Sequence, residues 1–157
     1  MSIERVKEFL GRWGLEDGVR EFETSSATVA LAAEALGVEE ARIAKSLTFK
    51  DKDEKCIMIV AAGDVRIDNR KFKDEFACKA KMLTAEEAIE LTGHAVGGVC
   101  PFALPGDVRV YLDSSLKRFE TVYPACGSSN SAIEITPQKL YEVSGALKWI
   151  DIAKQSE

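Results

Sequence analysis

Lys45 stands in the run Ala44-Lys45-Ser46-Leu47, a cation among small and apolar neighbours where a helical segment gives way to an apolar strand. An ammonium held at a sheet edge clamps a phosphate or carboxylate as a point charge. The competing reading is a solvated lysine whose stem lies over the core. A second feature is the stretch His94-Ala95-Val96-Gly97-Gly98-Val99-Cys100-Pro101-Phe102, apolar yet broken by two glycines and a proline. Adjacent glycines let main-chain N–H groups converge on one cavity and let a ligand approach closely, while Pro101 fixes the exit of the loop. Such donors suit the tetrahedral oxyanion formed when an ester is hydrolysed. A tight turn that only lets strands pack has the same composition, and the spacing is not that of a nucleotide-binding loop.

Gly127-Ser128-Ser129-Asn130-Ser131 gathers hydroxyls and an amide in one turn, suited to a ribose or another polar substrate end. Most such turns are only turns. Cys100 and Cys126 each lie in a glycine-bearing segment, and either becomes a nucleophile if its pKa is lowered. His94, six residues before Cys100, is the single histidine and reads as a loop or core residue rather than a base. With cysteines at 56, 78, 100 and 126, no CxxC pair and one histidine, a structural zinc site is not expected. Free thiols are expected, and neither metal nor prosthetic group.

A chain of 157 residues, 46% hydrophobic and 30% charged, corresponds to about one domain with a substantial core, expected to span 1–157. No run approaches a membrane span, and the charged N-terminus is not a signal peptide, so a soluble, cytoplasmic chain is expected. The net charge of −5, from 26 acids against 21 bases, excludes a generally basic nucleic-acid binder. One local exception exists. Residues 66 to 81 carry six bases (Arg66, Arg70, Lys71, Lys73, Lys79, Lys81) against Asp68, Asp74 and Glu75, a balance of +3.

The elements that must position these residues follow from periodicity and caps. Ile3, Val6, Phe9, Leu10 and Trp13 recur at helical spacing before Gly14. Val19–Phe22 reads as a strand, Thr24-Ser25-Ser26 as the cap of an alanine-rich helix ending near Gly37, and Glu39–Ile43 as a short helix. Ser46–Lys50 and Cys56–Ala62 form a hairpin about Asp51-Lys52-Asp53. Thr84 and Glu87 make a capping box for a helix that stops at Gly93. Strands are expected at 108–112, 121–125 and 132–135, then a helix capped by Thr136 with Pro137 at its first position. The predicted architecture is α/β, a curved mixed β-sheet with flanking helices.

Taken in order, Ala44-Lys45-Ser46-Leu47, Gly63-Asp64, Gly93 to Phe102, Asp113 and Gly127-Ser128-Ser129-Asn130 resemble the YbaK/prolyl-tRNA-synthetase-associated domain family over nearly the whole chain. Its members are aminoacyl-tRNA editing domains that hydrolyse the ester joining a wrong amino acid to tRNA. The resemblance implies a trans-acting deacylase in which Lys45 contacts the acceptor end near the terminal phosphate. It implies that Gly97, Gly98, Val99, Cys100 and Pro101 form the loop whose main chain holds the ester and the attacking water. It further implies substrate contacts from Ser46, Asp113, Gly127, Ser128 and Ser129, and from Thr28 in the segment 24–28 where the family lines its amino-acid pocket. The implied partner is mischarged tRNA met at its acceptor end, leaving open an aminoacyl-tRNA synthetase as a second partner; neither membrane nor DNA is implied. Where some members carry a serine before the glycine turn this chain has Ala125-Cys126, so the resemblance does not extend to cysteinyl-tRNA specificity. Two alternatives stand beside it: a non-catalytic tRNA- or nucleotide-binding module of the same fold, and a cysteine hydrolase using Cys100 or Cys126.

Overall fold

The structure, a computed structural model, describes residues 2–155. The apolar run Cys56–Ala62 (β3) is buried at every position, as expected of a central strand covered on both faces. It pairs antiparallel with β2 (Ile43–Lys50) in the expected hairpin, Lys45 facing Ala61 and Ser46 facing Val60. On its other side it pairs parallel with β5 (Arg109–Asp113), which pairs parallel with β8 (Trp149–Ile150). Tyr123–Pro124 (β6) completes a mixed five-stranded sheet in the order β6-β2-β3-β5-β8. Two small antiparallel ribbons flank it: β1 (Arg20–Glu21) with β7 (Ser131–Ala132), and β4 (Val65–Ile67) with β9 (Ala153–Gln155).

Strand alternation sends Met58, Val60 and Ala62 to one face. There they pack with Val110 and Leu112 against Val6 and Leu10 of α1 (Ser2–Gly11), Leu140 and Val143 of α5 (Pro137–Ser144), and Cys100 and Phe102 of the glycine loop. The opposite face, Ile57 and Ile59 with Phe49 and Tyr111, is covered by α3 (Asn69–Phe76). Phe72 lies 4.9 Å from Phe49 and 4.7 Å from Phe76, which meets Tyr111 edge-on at 5.0 Å. A smaller cluster holds α2 (Val29–Leu36) through Ala32 and Ala33 onto Ile43 and Tyr123. The helix α4 (Ala85–Thr92) carries the expected capping box of Thr84 and Glu87 and ends at Gly93. Among the described residues no helix is long and apolar enough to cross a membrane.

Several boundaries differ from the sequence expectations. Thr28, not Thr24 to Ser26, caps α2 by accepting from the Leu31 N–H. The strand β2 begins at Ile43, so Lys45 is its third residue rather than its start. The strands expected at 19–22, 121–125 and 132–135 shrink to two residues each, because their partners lie far off in sequence and pair only briefly. The helix α3 and the strands β4, β8 and β9 add to the expected set.

Candidate functional site

The site begins with a gap in the outer edge of β2. At one end Ile43 and Ala44 pair with β6. At the other, the Lys50 N–H donates to the Lys81 carbonyl (2.9 Å) and the Leu83 N–H to the Thr48 carbonyl (3.1 Å). Along a strand in an antiparallel pair the N–H and C=O of one residue point the same way, alternating residue by residue. Ser46, in step with Thr48 and Lys50, therefore turns both groups outward between the two paired stretches. Among the described residues no backbone group meets them there. The Ser46 hydroxyl is also the one buried side-chain polar atom without a hydrogen bond among the described residues. An open cleft of about 330 Å³ lies against this gap, its wall including Lys45, Ser46, Thr28, Gly97, Val99 and Tyr123.

Lys45 is half-buried, and its ammonium donates to the Val65 carbonyl, the first residue of β4. Burial lowers its pKa, and the Asp64 carboxylate nearby works in the opposite direction. Asp64 is itself gripped by the two arms of Arg118 at 2.6 and 3.0 Å; that pairing, with Lys45 adding to it, holds the carboxyl below its usual range. The turn that delivers Asp64 requires glycine at 63. A Cβ there would lie 2.1 Å from the Glu40 carbonyl oxygen and 2.7 Å from Val29 Cγ1.

Of the loop residues, Gly97 and Val99 line the cleft, whereas Gly98, Cys100 and Pro101 are buried and do not. Gly97 has φ +95°, and a Cβ on it would crowd Ala27 at 3.2 Å and Ser129 at 3.4 Å. The Gly98 N–H is committed to the Ala95 carbonyl at 2.9 Å. Its missing Cβ serves packing instead, since one would lie 2.8 Å from both Gly127 C and Ser128 N. Among the described residues, the Gly97 and Val99 N–H groups have no acceptor.

The turn 127–131 is braced from both sides. Ser26 N–H donates to the Ser129 carbonyl at 2.6 Å, and Asn130 Nδ2 donates to the Phe22 carbonyl at 2.9 Å. The Ser128 hydroxyl lies 2.9 Å from Asn130 Oδ1 and 2.7 Å from Ser131 Oγ. Gly127, Ser128 and Ser129 thus stand behind the cleft, and Ala125, Ser131 and Ala132 of the same segment form its wall. Asp113 lies outside the lining. Its carboxylate accepts from the N–H groups of Ser115 and Ile152, both at 2.9 Å, joining β5 to the turn that follows it and to the chain after β8. Tyr123, Ala27, Met82, Leu83 and Val96 line the cleft without having been singled out by sequence. Apolar side chains on short strands and loops carry no chemical signature of their own.

His94 and Cys100 do meet, Nε2 to Sγ at 3.6 Å, but the geometry gives no catalytic pair. His94 Nε2 is 2.8 Å from the Phe102 carbonyl, which can only accept, so Nε2 carries the proton and Nδ1 accepts from the Ser2 hydroxyl. No lone pair is left to take the thiol proton. Burial pushes the Cys100 thiol up to about 12 and Cys126 well above its ordinary value, and all four cysteines are free. Among the described residues no three His, Cys, Asp or Glu side chains gather as a metal site.

Buried His94 has its pKa lowered below the ordinary 6.5, first by burial, against the Phe102 bond that raises it and with Arg5 lowering it further. Above pH 6.5 the ring is neutral folded or unfolded. As pH falls through that value the unfolded chain takes up a proton that the folded chain refuses, so stability declines. The melting temperature is expected to drop between pH 7 and pH 5, and His94→Gln to flatten that slope, because no other histidine titrates there.

Comparison with known proteins adds the following. The aminoacyl-tRNA editing domain family matches residues 23–143. The protein YwhH of Bacillus subtilis (strain 168), itself uncharacterized, is 55% identical over 157 residues and all of both chains. The proline–tRNA ligase of Lysinibacillus sphaericus (strain C3-41) is 31% identical over 114 residues, which are 71% of this chain and 20% of the ligase. Among solved structures, a candidate trans-editing enzyme for prolyl-tRNA synthetase has a TM-score of 0.88 at 31% identity, over 98% of this chain and 97% of its own. Hypothetical protein APE2540 has a TM-score of 0.86 at 33% identity, over 96% and 99%.

Proposed function

Since this chain belongs to the aminoacyl-tRNA editing domain family, we propose that it is a trans-acting deacylase that hydrolyses the ester of mischarged tRNA. The ligase and trans-editing relatives support the tRNA that prolyl-tRNA ligases charge as the carrier of the wrong amino acid. The observation that carries the reading is one cleft in which a half-buried ammonium, an open strand edge and two unbonded loop amides are all available to one ligand. In this reading, the Lys45 ammonium takes the phosphate of the acceptor end in place of the Val65 carbonyl. The Gly97 and Val99 N–H groups receive the carbonyl oxygen as it gains negative charge, and the outward C=O of Ser46 accepts from the α-ammonium of the amino acid. Water adds to the ester carbon, the bond to the ribose oxygen breaks, and that oxygen leaves as a hydroxyl carrying the water's proton. The amino acid departs as its carboxylate, releasing one further proton. An activated ester needs little beyond such positioning and charge stabilisation.

A panel of alanyl-, cysteinyl-, seryl- and threonyl-tRNA tests the reading by release of free amino acid. Ser46→Ala probes the cleft wall separately. Removing an orphaned buried hydroxyl is expected to leave stability unchanged or raise it by about 1 kcal/mol, while hydrolysis slows by roughly ten-fold for one lost hydrogen bond to substrate. A melt and a rate on the same preparation check both halves.

A further inference from the structure

The mouth of the cleft is apolar. Leu31, Met82, Ile89 and Val96 are exposed by 41%, 58%, 54% and 67%. They come from α2, the segment bonded to β2, α4 and the glycine loop. Met82 and Val96 line the cleft directly, as do Ala32 and Ala88 from the helices that carry Leu31 and Ile89. Met82 is not on a frayed segment: it bridges Phe49, and the hydrogen bonds of Lys81 and Leu83 to β2 fix the backbone on either side. An apolar side chain held outward on an ordered backbone, beside a polar cleft, is suited to a flat ligand face.

We infer that Met82 and Val96 form a platform on which the terminal nucleobase of the tRNA 3′ end stacks. The inference rests on the deacylase reading of the cleft. The ester is borne by the terminal ribose, so the base lies one sugar ring from the bond to be broken. A cleft that holds the ester must meet the base at its mouth. Unpaired bases at a single-stranded end offer π faces to apolar and polarisable side chains.

Charge fixes the direction in which the rest of the strand leaves. On the α4 side, Glu86 and Glu90 flank Ile89 and repel phosphate. On the other side, Met82 directly follows Lys79 and Lys81, and a second concavity is formed by Asn69, Arg70, Lys73, Asp74, Lys79 and Ala80. Among the described residues Lys71 is paired with Asp151, whereas Arg70, Lys73, Lys79 and Lys81 have no ion-pair partner. The preceding nucleotides therefore run from Met82 across Lys81 and Lys79 onto the Arg70–Lys73 face of α3, where free cations meet their phosphates.

The test is a titration of protein carrying 13C-methyl methionine with the trinucleotide cytidylyl-cytidylyl-adenosine, the Met82 signal being assigned with Met82→Leu. The expected result is a saturable upfield movement of the Met82 methyl, from the ring current of a stacked base, while Met58 in the core stays in place. Met82→Ser, a change at an exposed side chain, is expected to raise KM for mischarged tRNA about five-fold, at the low end of what base stacking contributes, with kcat little changed. Three results overturn the platform: no binding of the trinucleotide, binding that moves backbone signals of 70–81 but not the Met82 methyl, or movement of that methyl with protein concentration alone, which assigns the rim to a second copy of the chain. Stacking without any ester cleavage across the panel rejects the deacylase reading and keeps the platform. Cleavage with a silent Met82 does the reverse.

Discussion

Lys45→Ala is expected to slow hydrolysis of a mischarged tRNA by about 100-fold or more, the scale on which a misplaced reacting group or a lost charge contact acts. The fall is expected in kcat. The tRNA is also held by the 70–81 face, so binding persists while the ester is no longer aligned with the Gly97 and Val99 amides. The ammonium is the relevant part of the side chain, because its partner in the unliganded fold is a carbonyl, that of Val65. Lys45→Met keeps the stem and removes the charge, so it should match alanine in rate and wild type in melting temperature. Lys45→Arg is not expected to rescue, since a planar fork does not replace a compact ammonium. Equal rates for Lys45→Met and wild type would remove the lysine from the chemistry.

The second large effect is expected at Gly98. Its added methyl would meet main-chain atoms of Gly127 and Ser128 at 2.8 Å, and backbone cannot swing aside as a flexible side-chain end can. Overpacking of this kind costs about 1–3 kcal/mol. It also drives the 96–99 loop away from the turn that braces it, so Gly98→Ala should lose both stability and most activity. Gly97→Ala, at φ +95° with its nearest contact a methyl at 3.2 Å, is expected to strain the loop by about 1–2 kcal/mol without forcing the two segments apart. A melt showing Gly98→Ala as stable as wild type would contradict the packing role.

Local signals were legible where the chain's own neighbours determine structure. Thr84 with Glu87, Pro137 after Thr136 and the alternation on either side of Asp51 each specify an element from within a few residues. Long-range pairing is not written that way. The strands β8 and β9 form only because β5 and β4 present edges to them. The helix α3 buries Phe72 and Phe76 in an otherwise polar run. The same division runs through the site. Lys45 and Gly97 are visible by residue type and lie in one cleft wall. The Val65 carbonyl, the outward edge of Ser46 and the Arg118 grip on Asp64 are main-chain or tertiary features with no local trace. Gly98 shows how a residue type can have two physical causes. Its glycine reads as room for a ligand, while in the fold the room is taken by the Gly127–Ser128 backbone. Asp113 likewise reads as an available acid, whereas both its oxygens are already bonded to main-chain N–H groups.

The most direct measurement is release of free amino acid from alanyl-, cysteinyl-, seryl- and threonyl-tRNA, each on the tRNA for proline, alongside correctly charged prolyl-tRNA. The account predicts that at least one mischarged species is hydrolysed well above its spontaneous rate while prolyl-tRNA is spared. Binding of these tRNAs with no acceleration of ester loss on any of them would contradict it.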